Sequence, residues 1–224
     1  MNTLIKFSLK TLTVIILFTV TTTVNAIQSK TNDCATLLNA IKTNNVDMVK
    51  QLLETVDPNC VYTYSDPRTP LVMASRKGNF EIAKLLIDAG ARIKKHDASD
   101  ETPLMAASYS GNLDLVEFLI GKGASVNKNL KGNGTALLVA AKKGRFEVVK
   151  YLISNGAKVD EVTQGDGTPL ICAVRNKHYW VAKELLEHGA NPNKISSGDE
   201  SAMYHAYASD NKEMITLLNS YSKN

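Results

Sequence analysis

Three cysteines and four histidines are the side chains best suited to nucleophilic, general-base or zinc-ligand chemistry near neutral pH: Cys34, Cys60, Cys172, His96, His178, His188 and His205. A nucleophile needs a base beside it, and zinc needs ligands spaced so that a short loop closes around the ion. None of the four histidines falls in a motif with a Ser, Cys or Asp, and the cysteines lack zinc-ligand spacing. His188, in Leu185-Leu186-Glu187-His188-Gly189-Ala190, reads as a charge suited to a helix C-terminus. Gly132-Asn133-Gly134 and Gly165-Asp166-Gly167 do not match a phosphate-cradling loop and read as turns. Cys34 and Cys60 are a candidate disulfide, which presupposes an oxidising compartment. The chain therefore reads as a non-enzyme, with no cofactor and no metal site.

The elements that carry these residues repeat. Thr102-Pro103-Leu104-Met105-Ala106-Ala107 is followed by Gly111, by Leu115-Val116-Glu117-Phe118-Leu119-Ile120, and by Gly123-Ala124. Thr102 can cap a short helix that has Pro103 at its first position, where a missing N–H costs nothing. Gly111 suits a tight turn, and Leu115, Phe118 and Leu119 form one apolar face of a second helix. Gly123 suits a left-handed stop. Thr69-Pro70-Leu71, Thr135-Ala136-Leu137, Thr168-Pro169-Leu170 and Ser201-Ala202-Met203 keep the same phase at 33-residue intervals, and projection backwards reaches Thr36-Leu37-Leu38. The motif and its period resemble the ankyrin repeat, from about residue 31 to the C-terminus. The resemblance implies an all-α solenoid of six helix-turn-helix units joined by β-hairpin-like loops. One departure runs through it: the His that often follows Thr-Pro-Leu in the family is replaced by Val72, Met105, Leu138 and Ile171, which shifts stability towards apolar burial.

Residues 1–26 read as a cleavable secretory signal. Lys6 and Lys10 precede the apolar run from Thr11 to Val20, and Val24-Asn25-Ala26 ends in the small residues that a signal peptidase reads. The run is shorter than the roughly 20 residues that span a bilayer. Residues 27–224 form the repeat domain, with units at about 31–63, 64–96, 97–129, 130–162, 163–195 and 196–224. In the first unit Asn45 takes the turn position that Gly holds elsewhere, and Asp57-Pro58-Asn59 ends the unit about two residues early, ahead of a loop carrying Tyr62 and Tyr64. Asn39, Lys42 and Asn44 suit an end unit with one face in water. Lys95 and His96 fall at a loop tip. Cys172 aligns with Met73, Ala106 and Val139 and reads as core. Trp180, the single tryptophan, is also expected in the core, near the positions of Phe80 and Phe146. Of the 26 Lys and Arg residues two lie in the leader, leaving 24 against 22 acids, a balance that does not suggest nucleic acid binding.

The resemblance also implies a binding face, lined by the ends of the first helices. Positions seven and eight after each motif residue place Arg76, Lys77, Lys142, Lys143 and Arg175 there, with Tyr109 mid-stripe. The expected partner is another protein with an acidic patch, met by a monomer that has no membrane contact after signal cleavage. The expected role is that of an exported inhibitor, immunity or protective binder of an envelope protein, periplasmic or secreted. A secreted effector that binds a host protein and an accessory scaffold for an exported enzyme are the alternatives. Gene neighbourhood separates them: a toxin or hydrolase, a secretion locus, or a redox enzyme.

Overall fold

The computed structural model describes residues 33–61, 68–94, 101–195 and 200–222. The leader, Tyr62, Tyr64, Lys95 and His96 lie outside the described residues. Twelve helices run through the rest in pairs. The first helices are α1 at 33–42, α3 Pro70–Arg76, α5 Pro103–Ser110, α7 Ala136–Lys142, α9 Pro169–Arg175 and α11 Ala202–Ala208. The second helices are α2 Val46–Leu52, α4 Phe80–Asp88, α6 Leu113–Gly121, α8 Phe146–Ser154, α10 Tyr179–Glu187 and α12 Lys212–Tyr221. From α3 to α11 each first helix packs on the next, and the second helices form an outer layer in the same order. No helix among the described residues is long and apolar enough to cross a membrane.

The motif residues do what their chemistry allows. Thr69, Thr102, Thr135, Thr168 and Ser201 each accept a hydrogen bond from the backbone N–H three residues on, at 3.1–3.4 Å. The residues in place of the family His are sealed in the stack: Val72, Met105, Leu138 and Ile171 are at most 1% exposed. Met105 and Ile171 lie in one core with Leu71, Leu104, Leu137 and Leu170 from the first helices and Leu86, Leu119 and Leu152 from the second. Two hairpins close on the antiparallel bridges Leu130–Gly134 and Thr163–Gly167.

Side chains at the second-helix N-termini hold successive units together. Asn112 accepts from the Leu115 N–H at 3.0 Å and donates from its amide to the Gly78 carbonyl at 2.8 Å, so one side chain caps a helix and reaches the preceding unit. Asn79 caps α4 and donates to the Asn44 side chain. Arg145 cannot cap; it donates to the Tyr109 carbonyl at 3.1 Å instead. A second bracket repeats along the loops. Asn127 donates to the Gly156 carbonyl and accepts from the Lys158 N–H, and Asn59 does the same with Gly90 and Arg92. Asp160 accepts from the Asn191 N–H at 3.1 Å.

Two expectations need correction. The left-handed residue of the first turn is Asn44 (φ 60°), and Asn45 is the cap of α2, accepting from the Met48 N–H. Asparagine serves in both roles, so adjacent asparagines leave the register ambiguous by one residue. Trp180 is not in the core: it is 64% exposed. Tyr179 stands where Phe80 and Phe146 stand, and Trp180 takes the next position, held by Glu81, Asp114, Glu147 and Glu213 in other units. Cys172 is fully buried. Cys34 and Cys60 form a disulfide with Cα atoms 5.9 Å apart, tying α1 to the loop after α2.

Candidate functional site

The first helices end in a row of polar side chains that face the hairpins. Arg76 closes α3, Tyr109 lies one residue before the end of α5, Lys142 closes α7 and Arg175 closes α9. A cleft of about 200 Å³ opens between these ends and the loops, lined by Arg76, Glu101, Met105, Tyr109, Asn133, Leu138, Lys142, Lys143 and Asp166.

Tyr109 is the centre. The Arg76 guanidinium carbon lies 4.0 Å from the ring centroid, and the Lys143 ammonium lies 4.5 Å from it. An aromatic face attracts cations through its quadrupole, so this arrangement holds the ring in place at two points. Arg76 also donates to Glu101 at 2.5 Å, and Glu101 is only 8% exposed. A carboxylate that far from water requires a charged or hydrogen-bonding partner, and Arg76 is one.

Asp166 organises the other end. Lys142 donates to its two oxygens at 2.8 and 3.1 Å, and Arg175 donates to Oδ1 at 2.9 Å. The Cys172 thiol donates to the Asp166 carbonyl at 3.2 Å. One carboxylate thus holds cations from two successive first helices and is anchored through its own backbone. Away from the cleft, a hydrogen bond to Glu200, and after it the negative charge of that carboxylate, raise the Tyr204 phenol above its ordinary pKa.

Of the residues marked out by register, Arg76, Tyr109, Lys142, Lys143 and Arg175 come together. Lys77 does not join them. It lies beside Asn44, Gly78, Asn79 and Phe80 at the inter-helix turns. The stripe is also not purely basic, because Glu101 and Asp166 take up three of its cations. Both acids sit just ahead of a motif threonine, and Asn133 and Asp166 occupy the same repeat position. The repeat equivalents of Glu101 are Arg68, Gly134 and Gly167, so the two acids share no repeat position and no regularity of the sequence marks them out. Among the described residues no group of three or more His, Cys, Asp or Glu side chains is placed to hold a metal ion.

Residues 37–130 and 126–196 match the family model for ankyrin repeats, described as three copies. The chain belongs to the ankyrin-repeat family. The crystal structure of the human ASB11 ankyrin repeat domain is similar, with a TM-score of 0.75 and 28% identity over 84% of this chain and 84% of that one. No curated protein matches. Ankyrin repeats form a protein–protein interaction module and a scaffold that is typically non-enzymatic.

Proposed function

We propose that this ankyrin-repeat protein is exported to the periplasm or beyond the cell and binds an envelope protein through the cleft around Tyr109, as an inhibitor, immunity or protective partner. The leader pattern at residues 1–26 supports export. The observation that carries the binding reading is the clamped Tyr109 beside the paired charges. A ring held by Arg76 and Lys143 loses little freedom when a partner covers it, which is the economy of a preorganised contact.

Four cations and two carboxylates line this region, leaving two positive charges in excess. That excess favours an acidic partner. Lys143, exposed and without an ion pair among the described residues, is the cation such a partner meets first. Charge at an exposed rim acts mainly on the association rate.

The experiment is capture from an envelope fraction with the mature chain as bait, followed by binding kinetics with the captured protein. Lys143→Glu is expected to slow association and flatten its salt dependence, and Tyr109→Ala to raise the dissociation rate. Unchanged kinetics in both variants refute the cleft as the site. Protein recovered from cells is expected to begin at Ile27, and a membrane-embedded form that keeps Met1 refutes export.

A further inference from the structure

Trp180 occupies a position where other units place acidic side chains, yet it is the most exposed of the large apolar residues described, at 64%. The Tyr179 ring meets it edge-on, with centroids 5.3 Å apart and planes at 89°. Beside the pair a groove of about 660 Å³ opens between α10 and α12, and Lys212, Glu213 and Leu217 stand on its far side.

At one other joint of the chain an aromatic ring fills this space. Between α4 and α6 the ring of Phe118 packs edge-on against Phe80, at 5.3 Å and 62°. Leu217 holds the repeat position of Phe118, and Tyr179 that of Phe80. Leucine brings no ring to the joint, so the groove between α10 and α12 has room for an aromatic side chain from outside.

The charges around the groove select the occupant. Lys183 is taken up by Glu187 at 3.7 Å. Lys212 and Glu213 are neighbours of opposite sign, and among the described residues neither has an ion pair. Together they give no net charge, so they offer no field to a strongly charged partner. They do complement themselves. Across a two-fold axis Lys212 of one copy meets Glu213 of the other, and the reverse, which is the symmetry of an isologous contact.

We propose that this outer groove is a homodimer interface, in which each Trp180 enters the groove of the second copy between Tyr179 and Leu217 and the two Lys212–Glu213 pairs close around it. This replaces the expected monomer. It uses a different face from the cleft around Tyr109, and it stands whether or not the cleft binds the proposed envelope partner.

The test is sedimentation velocity of the purified chain from about 1 to about 200 µM, the range in which modest interfaces dissociate. Trp180 emission, the only tryptophan signal, is followed over the same range. The expected result is a concentration-dependent dimer with a blue shift of the same midpoint. Trp180→Ala should weaken dimerisation by at least about tenfold, as loss of a central tryptophan does. Lys212→Glu alone should also weaken it, and Lys212→Glu with Glu213→Lys should restore it, while Lys143→Glu leaves it unchanged. Circular dichroism checks that each variant folds, which the exposure of Trp180 leads us to expect. A chain that stays monomeric throughout overturns the proposal, whatever other ligand shifts its emission. So does a dimer that survives Trp180→Ala, or a charge swap that fails to restore association.

Discussion

Replacing Asp166 with Asn tests whether the hairpin carboxylate holds the cleft together. The substitution is conservative for the backbone, because Asn133 occupies the same place between two glycines one unit earlier. What it removes is charge. Asp166 accepts from Lys142 and Arg175 at 2.8–3.1 Å, and its own side chain is only 16% exposed. The two cation side chains are 40% and 33% exposed, so water screens them and each pair contributes about 0.5–1 kcal/mol rather than the larger figure for buried charges. Asparagine keeps one acceptor oxygen, and the cations lose the charge that separates them. The sum is a destabilisation of about 1–2 kcal/mol, or about 2–8 °C in Tm for a domain of this size.

Urea unfolding of Asp166→Asn against the unmodified chain measures it. The difference should shrink by about half or more in 1 M NaCl, where the Debye length falls to about 3 Å. A loss above about 3 kcal/mol, or one that salt does not change, would mean that the hairpin depends on the carboxylate for its backbone geometry and would refute the electrostatic account.

Leu119 is fully buried between units, so Leu119→Ala should cost about 2–5 kcal/mol in urea melts, and the loss should spread to the neighbouring units. The disulfide between Cys34 and Cys60 spans a separation of 26 residues; by loop-closure entropy its reduction with dithiothreitol should cost about 3.5 kcal/mol, read from the unfolding of the N-terminal units. Asn112→Ala should cost about 2 kcal/mol, because a cap and an inter-unit bond are lost together. Asn211→Ala, for which only the cap to Met214 is seen, should cost about 1 kcal/mol, and equal losses at the two positions would refute the double role.

The repeat was legible because its signals are local and redundant: a capping hydroxyl, a proline, a glycine and an apolar face recur together. The errors arise where one residue type serves two purposes. Asn44 and Asn45 are both plausible as the left-handed residue and as the cap, and only the path of α2 decides. The chemistry of Trp180 suits a core, whereas its position, next to Tyr179 on the solvent side of α10, puts it outside. The acids of the cleft were missed for another reason. Glu101 is 25 residues from Arg76 and Asp166 is 24 from Lys142, separations that mean nothing until the residues ahead of the next first helix come to lie beside the end of this one. The inter-unit hydrogen bonds of Asn59 and Asn127 were hidden in the same way, at separations of 29 to 33 residues.

Those separations carry a consequence for binding. The pair Arg76–Glu101 links α3 to the loop before α5, and Lys142–Asp166 links α7 to the loop before α9, so each crosses a joint of the stack. A partner carboxylate that recruited Lys142 would have to displace Asp166 and loosen that joint, and the binding energy would be reduced accordingly. Reversing Lys142 or Arg175 to Glu is therefore a poor probe of the binding face, because it places a second carboxylate beside Asp166 and perturbs the fold and the site at once. Among the described residues Lys143 crosses no joint through an ion pair. Its contact is the Tyr109 ring, which keeps the ammonium oriented without neutralising it. Charge reversal at Lys143 should slow association and leave the urea midpoint within about 0.5 kcal/mol of the unmodified chain, whereas reversal at Lys142 should lower both. If the two variants lose stability equally, Lys143 is part of the scaffold and the acidic partner is recognised elsewhere.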